Sequence, residues 1–402
     1  MIPEQQRLGI IGPSFALGTV PSLQGMVCSL TEHGYGIDLY TCDDAAFVPP
    51  SFPGLDVRIF MLPEYYRRGN ASWWWQLLRR WVPYLAGRCQ TESYGCLIGI
   101  DPLGLLLASV AGRFPSIPVV YWSLEILFWN EITRPHMKVV KLLERLANRT
   151  TVFTVIQDWD RAILLAQENR IPRNQIEILP NAPPGKAQWE RSDHLRNTLG
   201  IAYGRSLVLY LGSIVPWAHS LELAQQAKAW HSDAALVFHS CSRLTGDYAA
   251  AFRQEIDGHR TYLSEKPVAS DEVRRLAASA DIGVALYPRS TSNPVYSDNT
   301  YVVGRSSGKI AHYLQCGTPV IASALPSVQA YIEGYKCGVC IDDIQDVSAA
   351  VETILADYPR YSANALACFL DLFDINSHFA PIFERLEGAI TARRHNRNSY
   401  KD

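Results

Sequence analysis

Short, almost wholly apolar runs alternate with helix-length segments along most of this chain. Residues 8–12 and residues 207–211 are two clear examples, one in each half. A run that is apolar at successive positions is buried on both faces of its sheet, as parallel strands covered by helices are. The pattern therefore predicts an α/β protein with helices on both sides of its sheets.

The first unit of this pattern lies at the N-terminus. Residues 8–12 predict a strand, residues 20–32 carry apolar side chains at helical spacing, and residues 37–41 predict a second strand after two glycines. Strand, helix and strand within about 35 residues form a right-handed crossover of a parallel sheet. Further strands are predicted at 96–100, 119–122, 152–156, 176–179, 207–211, 235–239, 282–286 and 320–322. A helix is also predicted over 137–148, with apolar residues at Val140, Leu143 and Leu146.

A cluster of prolines divides the chain. With 402 residues the chain is long enough for two or three domains. Pro180 to Pro184 contains three prolines, which neither a helix interior nor a central strand accepts. We therefore predict two doubly wound, Rossmann-like domains facing across a cleft, residues 1–183 and 184–371. A last helix at about 372–395 is predicted to return to the first domain.

Charge and cysteine content exclude some classes of protein. The net charge of -2 argues against a surface built to neutralise nucleic-acid phosphates, so no nucleic acid is expected as a partner. We find neither a signal peptide nor a spanning helix in the sequence, and we expect the chain to be cytoplasmic. Its nine cysteines are scattered and odd in number, which favours reduced thiols over a disulfide framework.

Five motifs follow one another along the chain: GTV at 18–20 with EHGYGID at 32–38, IEILPNA at 176–182, YLGS at 210–213, ADIGV at 280–284 and GTPVIAS at 317–323. In this order they resemble the GT-B glycosyltransferases, and in particular the family-4-like enzymes that use nucleotide sugars. The resemblance implies a retaining hexosyltransferase with its donor site in the second domain. It also implies no metal ion and no cofactor besides the nucleotide diphosphate sugar that is the substrate.

A donor of this kind needs fixed positive groups, because negative charge grows on the leaving diphosphate. The sequence RSSGK at 305–309 precedes a helix predicted over 310–315, and it predicts a phosphate nest at the helix start. An ordinary serine-capped helix is the alternative. Gly212 and Ser213 follow a strand and predict a second phosphate contact or a simple turn. The predicted donor-binding residues are Gly212, Ser213, Arg243, Arg305, Ser306, Ser307, Gly308, Lys309 and His312, and Lys309 is also a predicted catalytic residue.

The chain departs from the family at four places. Where the family has two glutamates, this chain has Gly304 and His312. Where the family has an arginine and a lysine, it has Ser213 and Ala218. His312 either binds a ribose hydroxyl in place of the glutamate or is an ordinary helix histidine. We expect one of four other basic residues to replace the missing positive charge: Arg243, Lys309, Arg305 or Arg289.

On the acceptor side, IPVVYWSLE at 117–125 resembles the strand that ends in a His-Asp pair in many family members. We predict that Glu125 orients an acceptor hydroxyl or acts as a base, with capping of a turn as the alternative. Gly18 and Thr19 are the other predicted acceptor-side residues. Adjacent acids such as Asp342 and Asp343 are interpreted as solvated, and no metal site is assigned.

One segment stands out by composition. Residues 65–81 contain four tryptophans and four arginines without an acid. This composition is typical of a membrane interface, and packing of the tryptophans in the core or stacking on a sugar are the alternatives. The predicted contacts with the inner face of a membrane are Trp73, Trp74, Trp75, Arg79 and Arg80.

The resulting hypothesis is a glycosyltransferase of polysaccharide biosynthesis that moves a sugar from a nucleotide diphosphate sugar to a glycan or a lipid-linked acceptor. The alternative is a GT-B protein that has lost catalysis and serves as the partner or scaffold of an active transferase. A GT-B epimerase or phosphorylase is a third class that the motifs leave open.

Overall fold

Two parallel sheets organise the chain. The computed structural model describes residues 6–13, 15–42, 46–62, 77–269, 272–287 and 297–398. The first sheet has the order β3-β2-β1-β4-β5-β6-β7 and the second β10-β9-β8-β11-β12-β13. The strands are β1 Arg7–Gly12, β2 Gly36–Cys42, β3 Val57–Leu62, β4 Leu97–Ile100, β5 Val119–Trp122, β6 Thr154–Ile156, β7 Ile176–Ile178, β8 Leu207–Gly212, β9 Ala235–Ser240, β10 Thr261–Ser264, β11 Ile282–Ala285, β12 Val320–Ser323 and β13 Gly338–Ile341.

Helices connect the strands and cover the sheets. They are α1 Pro21–Glu32, α2 Val82–Thr91, α3 Asp101–Gly112, α4 Pro135–Asn148, α5 Trp159–Asn169, α6 His194–Leu199, α7 Ser220–Ala227, α8 Gly246–Gln254, α9 Val273–Ala277, α10 Ser297–Tyr301, α11 Gly308–Gln315, α12 Pro326–Tyr335, α13 Val347–Ala356, α14 Tyr358–Leu372 and α15 Ile375–Asn398. The predicted α/β class with two doubly wound sheets is confirmed.

The strand order reverses beside β1 in the first sheet and beside β8 in the second. All seven residues of β2 are buried, and so are the first five of β8, whose continuous apolar sequence this explains. In a doubly wound sheet, the chain leaves the two strands at the reversal in opposite directions, and this opens a crevice at their carboxyl ends. The fold therefore provides one crevice on each sheet.

Asn181, in the proline cluster, connects the two halves. Its Oδ1 accepts hydrogen bonds from the backbone N–H and the hydroxyl of Ser22 at the start of α1 (3.1 and 2.8 Å). Its Nδ2 donates to the carbonyl of Ser306 (2.9 Å), and its backbone N–H donates to the carbonyl of Arg305 (2.9 Å). The cluster thus brings the start of α1 against the loop before α11. The domain boundary at 183/184 stays a prediction.

The C-terminal helices pack on both halves. Helix α14 contacts α11, and α15 contacts α1 and β7 of the first sheet. Arg385 on α15 donates to the carboxylate of Glu177 (2.8 Å) and to the carbonyl of Asn174 (2.9 Å). By length and composition alone, the run from Tyr358 to His395 could cross a membrane. In this fold the run forms two helices, of which α14 packs on α11, α12 and α13, and α15 packs on α1 and β7.

Helix α4 turns a different face inward from the one its apolar residues suggest. Val140 is buried, whereas Leu143 and Leu146 are 43% and 59% exposed. The buried side chains include Lys141, whose Nζ donates to Glu144 (3.1 Å) and to Asn169 on α5 (2.6 Å). Because the buried charges are paired and hydrogen-bonded, this polar face can be packed against α5.

Part of the segment rich in tryptophan and arginine is described. Trp73, Trp74 and Trp75 lie outside the described residues. A π-helical turn, Leu77–Trp81, leads into α2, with Arg79 and Arg80 exposed and Trp81 buried in the core. The structure thus supports core packing for Trp81.

We expect Gly104→Ala to destabilise the first domain. A Cβ at Gly104 would lie 2.2 Å from the carbonyl oxygen of Ile11, which is backbone and cannot move aside. Overpacking of this kind costs about 1–3 kcal/mol, measurable as a lower midpoint of urea unfolding followed by circular dichroism. Gly87 on α2 is the matched control, because a Cβ there meets nothing within 4 Å. Gly87→Ala should be neutral or slightly stabilising, and equal midpoints for the two variants would contradict the packing at Gly104.

Candidate functional site

A cavity of about 270 Å³ lies between the two sheets, at the carboxyl ends of β8 and β9 and at the start of α11. Both halves of the chain contribute to it, the first through the turn before α1 and through Asn181. Seven of the predicted site residues line it: Gly18, Thr19, Gly212, Ser213, Gly308, Lys309 and His312. Their roles stay predictions, but the fold brings them together.

Lys309 is the second residue of α11, and its ammonium group lies near two aromatic rings. Nζ is 5.0 Å from the ring centroid of Tyr210 and 5.0 Å from that of Tyr287. Burial lowers the pKa of Lys309 to about 8. Among the described residues, no carboxylate lies within ion-pair distance of it. Among the described residues, ring faces stabilise this cation, and it can accept an anionic ligand.

The N-terminus of α11 has the serine cap that was the alternative for residues 305–309, and the phosphate nest stays a prediction. Ser307 is the N-cap, its hydroxyl accepting from the backbone N–H of Ile310 (3.4 Å) and hydrogen-bonded to the hydroxyl of Tyr287. The hydroxyl of Ser306 donates back to the carbonyl of Val303 (2.6 Å). The two serines thus order the helix start, while Gly308 and Lys309 face the cavity. The positive end of the helix dipole points in the same direction.

Gly212 leaves room for the lysine. It has φ +140°, and a Cβ built on it would lie 3.2 Å from Nζ of Lys309. Ser213 follows, with its Oγ 3.4 Å from Sγ of Cys241. A glycine at the end of β8 therefore allows both the turn and the approach of the ammonium group.

His312 lies one turn further along α11 and is 6% exposed. Its Nδ1 is buried and has no hydrogen-bond partner among the described residues. Burial, together with the positive charge of Arg274, lowers the pKa of His312 to about 4, so its ring is neutral at pH 7. A neutral imidazole in the cavity wall can accept a hydrogen bond at one nitrogen and donate at the other.

Two of the other predicted cations, Arg305 and Arg243, are not among the residues that line the cavity. Arg305 donates from Nη1 to the carbonyl of Leu372 (3.2 Å) and from its backbone N–H to Asp158 (3.0 Å). Arg243 is exposed, and its backbone N–H donates to the carbonyl of Ala46 (2.9 Å). Arg289 lies outside the described residues. Among the described candidates, Lys309 is therefore the cation in the cavity.

Gly304 shows why a side chain is absent at this place. It has φ +37°, and a Cβ there would lie 2.5 Å from Oδ2 of Asp158 in the first domain. Asp158 accepts from the backbone N–H of Arg305 (3.0 Å). The close approach of the two domains thus occupies the volume that a glutamate at residue 304 would need.

Glu125 stands apart from the cavity lining. It is 65% exposed at its side chain, its Oε2 is 3.4 Å from Nη2 of Arg161, and its backbone N–H donates to Asp101 (3.0 Å). Burial, and to a smaller extent the negative charge of Glu125, raise the pKa of Tyr287 in the cavity wall. Glu125 therefore faces the same cleft without touching the cavity.

Sequence reasoning missed several lining residues. They include His239 at the end of β9, Cys241 just after it, Tyr287 after β11, and the apolar pair Val268 and Val273. His239 lies with Nδ1 2.9 Å from the hydroxyl of Ser264, and burial lowers its pKa to about 4. Position at a strand's carboxyl end was the available signal, since parallel sheets place their ligands there.

No group of three or more His, Cys, Asp or Glu side chains is arranged to hold a metal ion in the part of the chain that the structure describes.

Residues 248–368, under a third of the chain, match the model of a family described as glucosyltransferase 3-like, C-terminal domain. No curated protein sequence gives a match. Three solved structures illustrate the likeness of the whole chain. HepE of Anabaena, in complex with UDP-glucose, has TM-score 0.70 and 16% identity, and the match covers 95% of this chain and 99% of HepE.

Sucrose-phosphate synthase of Thermosynechococcus elongatus has TM-score 0.68 and 13% identity over 96% of this chain and 100% of its own. An α,α-trehalose 6-phosphate synthase of Burkholderia multivorans has TM-score 0.62 and 13% identity over 96% and 99%. The fold is GT-B. The predicted GT-B resemblance is therefore confirmed, while its family-4-like and retaining parts stay predictions.

We expect protonation of His312 at low pH to reduce the free energy of unfolding of the protein. Its folded-state pKa of about 4 lies below the ordinary value of 6.5, so the unfolded chain binds more protons between these values and stability falls as the pH falls through them. Between pH 7 and pH 5 the parent chain should lose about 2 kcal/mol more than His312→Gln, as measured by urea unfolding.

His231 is exposed and supplies the matched control. His231→Gln should lose as much stability on acidification as the parent chain. An equal loss for the parent and His312→Gln would mean that His312 is not held neutral.

Proposed function

We propose that this chain is a glycosyltransferase that binds a uridine diphosphate sugar, with UDP-glucose as the first donor to test. It would pass the sugar to a glycan or a lipid-linked acceptor with retention of configuration. The observation that carries the proposal is the half-buried ammonium group of Lys309, free of carboxylates among the described residues, at a helix N-terminus inside the cavity. The glucosyltransferase-type match over residues 248–368 and the UDP-glucose complex of HepE support it.

In this proposal the diphosphate binds between Gly212 and the start of α11. The side chain of Lys309 and the backbone N–H groups of Gly308 and Lys309 are the proposed donors to it. As the bond to the sugar breaks, negative charge grows on the leaving diphosphate, and both groups stabilise it without moving. Gly212 and the rings of Tyr210 and Tyr287 act by positioning the ammonium group.

The nucleoside binds further along α11. His312, with a neutral ring and an unpaired buried nitrogen, is the proposed partner of a ribose hydroxyl. Val268 and Val273 would contact the base. His312 stands where the family that the chain resembles has a glutamate. The ribose would therefore be held by a neutral hydrogen bond instead of by a hydrogen bond to a carboxylate.

The acceptor binds on the side of Gly18 and Thr19, and Glu125 orients its hydroxyl from the cleft edge. No Asp or Glu is among the described residues that line the cavity. This supports a reaction in which a donor phosphate oxygen takes the acceptor's proton, on the same face from which the leaving group departs. Closure of the domains would exclude water and limit hydrolysis of the donor.

A second candidate is a catalytically inactive partner of another transferase. It is favoured by Gly304, where the approach of Asp158 leaves no room for an acidic side chain. Ser213 and Ala218 also lack the basic groups of the resembling family. Such a partner would bind nucleotide at most and transfer no sugar.

For location, we propose a cytoplasmic enzyme of polysaccharide biosynthesis that works at the inner face of a membrane without a metal ion. The exposed Arg79 and Arg80 before α2 support contact with anionic lipid.

Lys309→Met should weaken binding of UDP and of UDP-glucose at least about tenfold at pH 7, because it removes the cation that faces the diphosphate. Isothermal titration calorimetry measures this directly, and Lys266→Met, at an exposed lysine, is the matched control that should bind as the parent chain. Unchanged affinity in Lys309→Met would remove the diphosphate from this site. Binding without transfer to any acceptor would support the inactive partner instead.

Binding of UDP should also depend on pH. The charged form of Lys309 is present below its pKa of about 8 and is lost as the pH rises through that value. The Kd for UDP should therefore rise above pH 8, approaching about tenfold per pH unit, whereas Lys309→Met should show no such rise. The same rise in both proteins would assign it to another group.

A further inference from the structure

Helix α4 carries an uncovered apolar stripe. Val139, Leu142, Leu143 and Leu146 follow the i, i+3, i+4, i+7 spacing of one helix face, and they are 43% to 59% exposed. Single exposed leucines are common on protein surfaces, but a contiguous stripe marks an interaction site. The stripe extends about 10 Å along the helix.

The neighbouring helix α3, which packs beside α4, enlarges this face. Val110 near its end is 47% exposed, and Phe114 just after it is 90% exposed. The two helices and Phe114 together hold six of the thirteen exposed large hydrophobic side chains among the described residues. We call these six residues, Val110, Phe114, Val139, Leu142, Leu143 and Leu146, the α4 face.

Basic side chains surround the α4 face. Arg134 and Arg149 at the two ends of α4, Lys138 on its first turns, and Arg113 beside Phe114 are all exposed. The acid of α4 is Glu144, and it is buried with Lys141. The exposed charges of α4 are therefore all positive.

An apolar stripe with a basic border is the pattern of a helix that lies in the headgroup region of a bilayer, with its leucines at the acyl boundary and its cations at anionic lipid. A second copy of the chain fits less well. A two-fold contact would place the same face on both sides and bring the basic borders together.

We propose that the α4 face docks on an anionic lipid bilayer. The N-terminal end of α4 adjoins the cleft, because Asn130 donates to Asp298 of the second domain (3.2 Å) just before the helix. The docked protein would present the edge of its cleft to the bilayer. The docking does not depend on the proposed transfer of sugar, and it can be tested without substrate.

The test is co-sedimentation of the full chain with phosphatidylcholine vesicles and with vesicles of phosphatidylcholine and phosphatidylglycerol. The parent chain should bind the mixed vesicles more than the neutral ones, and added salt should weaken the binding. The double variant Leu142→Glu/Leu146→Glu should lower the bound fraction at least tenfold. Its far-ultraviolet circular dichroism and thermal midpoint show whether it folds as the parent chain does.

Leu370→Glu is the matched control, since Leu370 on α14 is 51% exposed outside the α4 face; it should bind as the parent chain. A second variant, Arg134→Gln/Arg149→Gln, keeps the stripe and should weaken binding to the mixed vesicles about fivefold for each arginine removed. This variant keeps the proposal testable if the glutamate variant does not fold.

Three results would overturn the proposal. The first is failure of the parent chain to bind mixed vesicles. The second is binding by both α4 variants at the level of the parent. The third is a dimer, seen by light scattering, that Leu142→Glu/Leu146→Glu dissolves while no vesicle binding occurs, because the face would then be an interface between copies of the chain.

Discussion

The position of one amide side chain sets the geometry of the cavity. Asn181 follows the first strand-rich half and bonds to Ser22 at the start of α1 and to the carbonyl of Ser306 before α11. Four hydrogen bonds of this residue hold the starts of the two helices together. The prolines around Asn181 keep this segment out of a helix, which leaves its polar groups available for these bonds. As a result, the turn at Gly18 and Thr19 before α1 and the start of α11 line the same cavity.

Within that cavity, electrostatics depend on a cation held by rings instead of carboxylates. The rings of Tyr210 and Tyr287 both lie near the ammonium group of Lys309, and the Tyr287 hydroxyl is also hydrogen-bonded to the N-cap Ser307. Helix cap and cation therefore share a positioning residue. A carboxylate partner would neutralise the lysine, whereas ring faces leave its charge available to a ligand. Burial in this wall lowers the pKa of Lys309 to about 8.

Much of the fold could be predicted from local pattern. Strands such as β5 and β8 have continuous apolar sequence because helices cover both faces, and this pattern identified their class and order. Some elements were harder to predict from the sequence, because they depend on contacts with residues distant in the chain: the short strands β10 and β13 and the helices α12 to α14. At the site, Gly308 and Lys309 could be predicted from the start of α11. Tyr287 and His239 lie at the ends of predicted strands, but only the sheet shows that strand ends 48 residues apart meet at one edge.

The sequence by itself determined the alternation of strands and helices, the proline cluster that no helix can include, and the helix start at residues 305–309. These are local properties of backbone preference and hydrophobic spacing. Only the tertiary structure decided which cation enters the cavity and which face of α4 is exposed. Arg305 bonds to Leu372, and Lys141 bonds to Asn169 of α5. Such partners meet through packing between distant segments, and a side chain's direction depends on them more than on its neighbours in the chain.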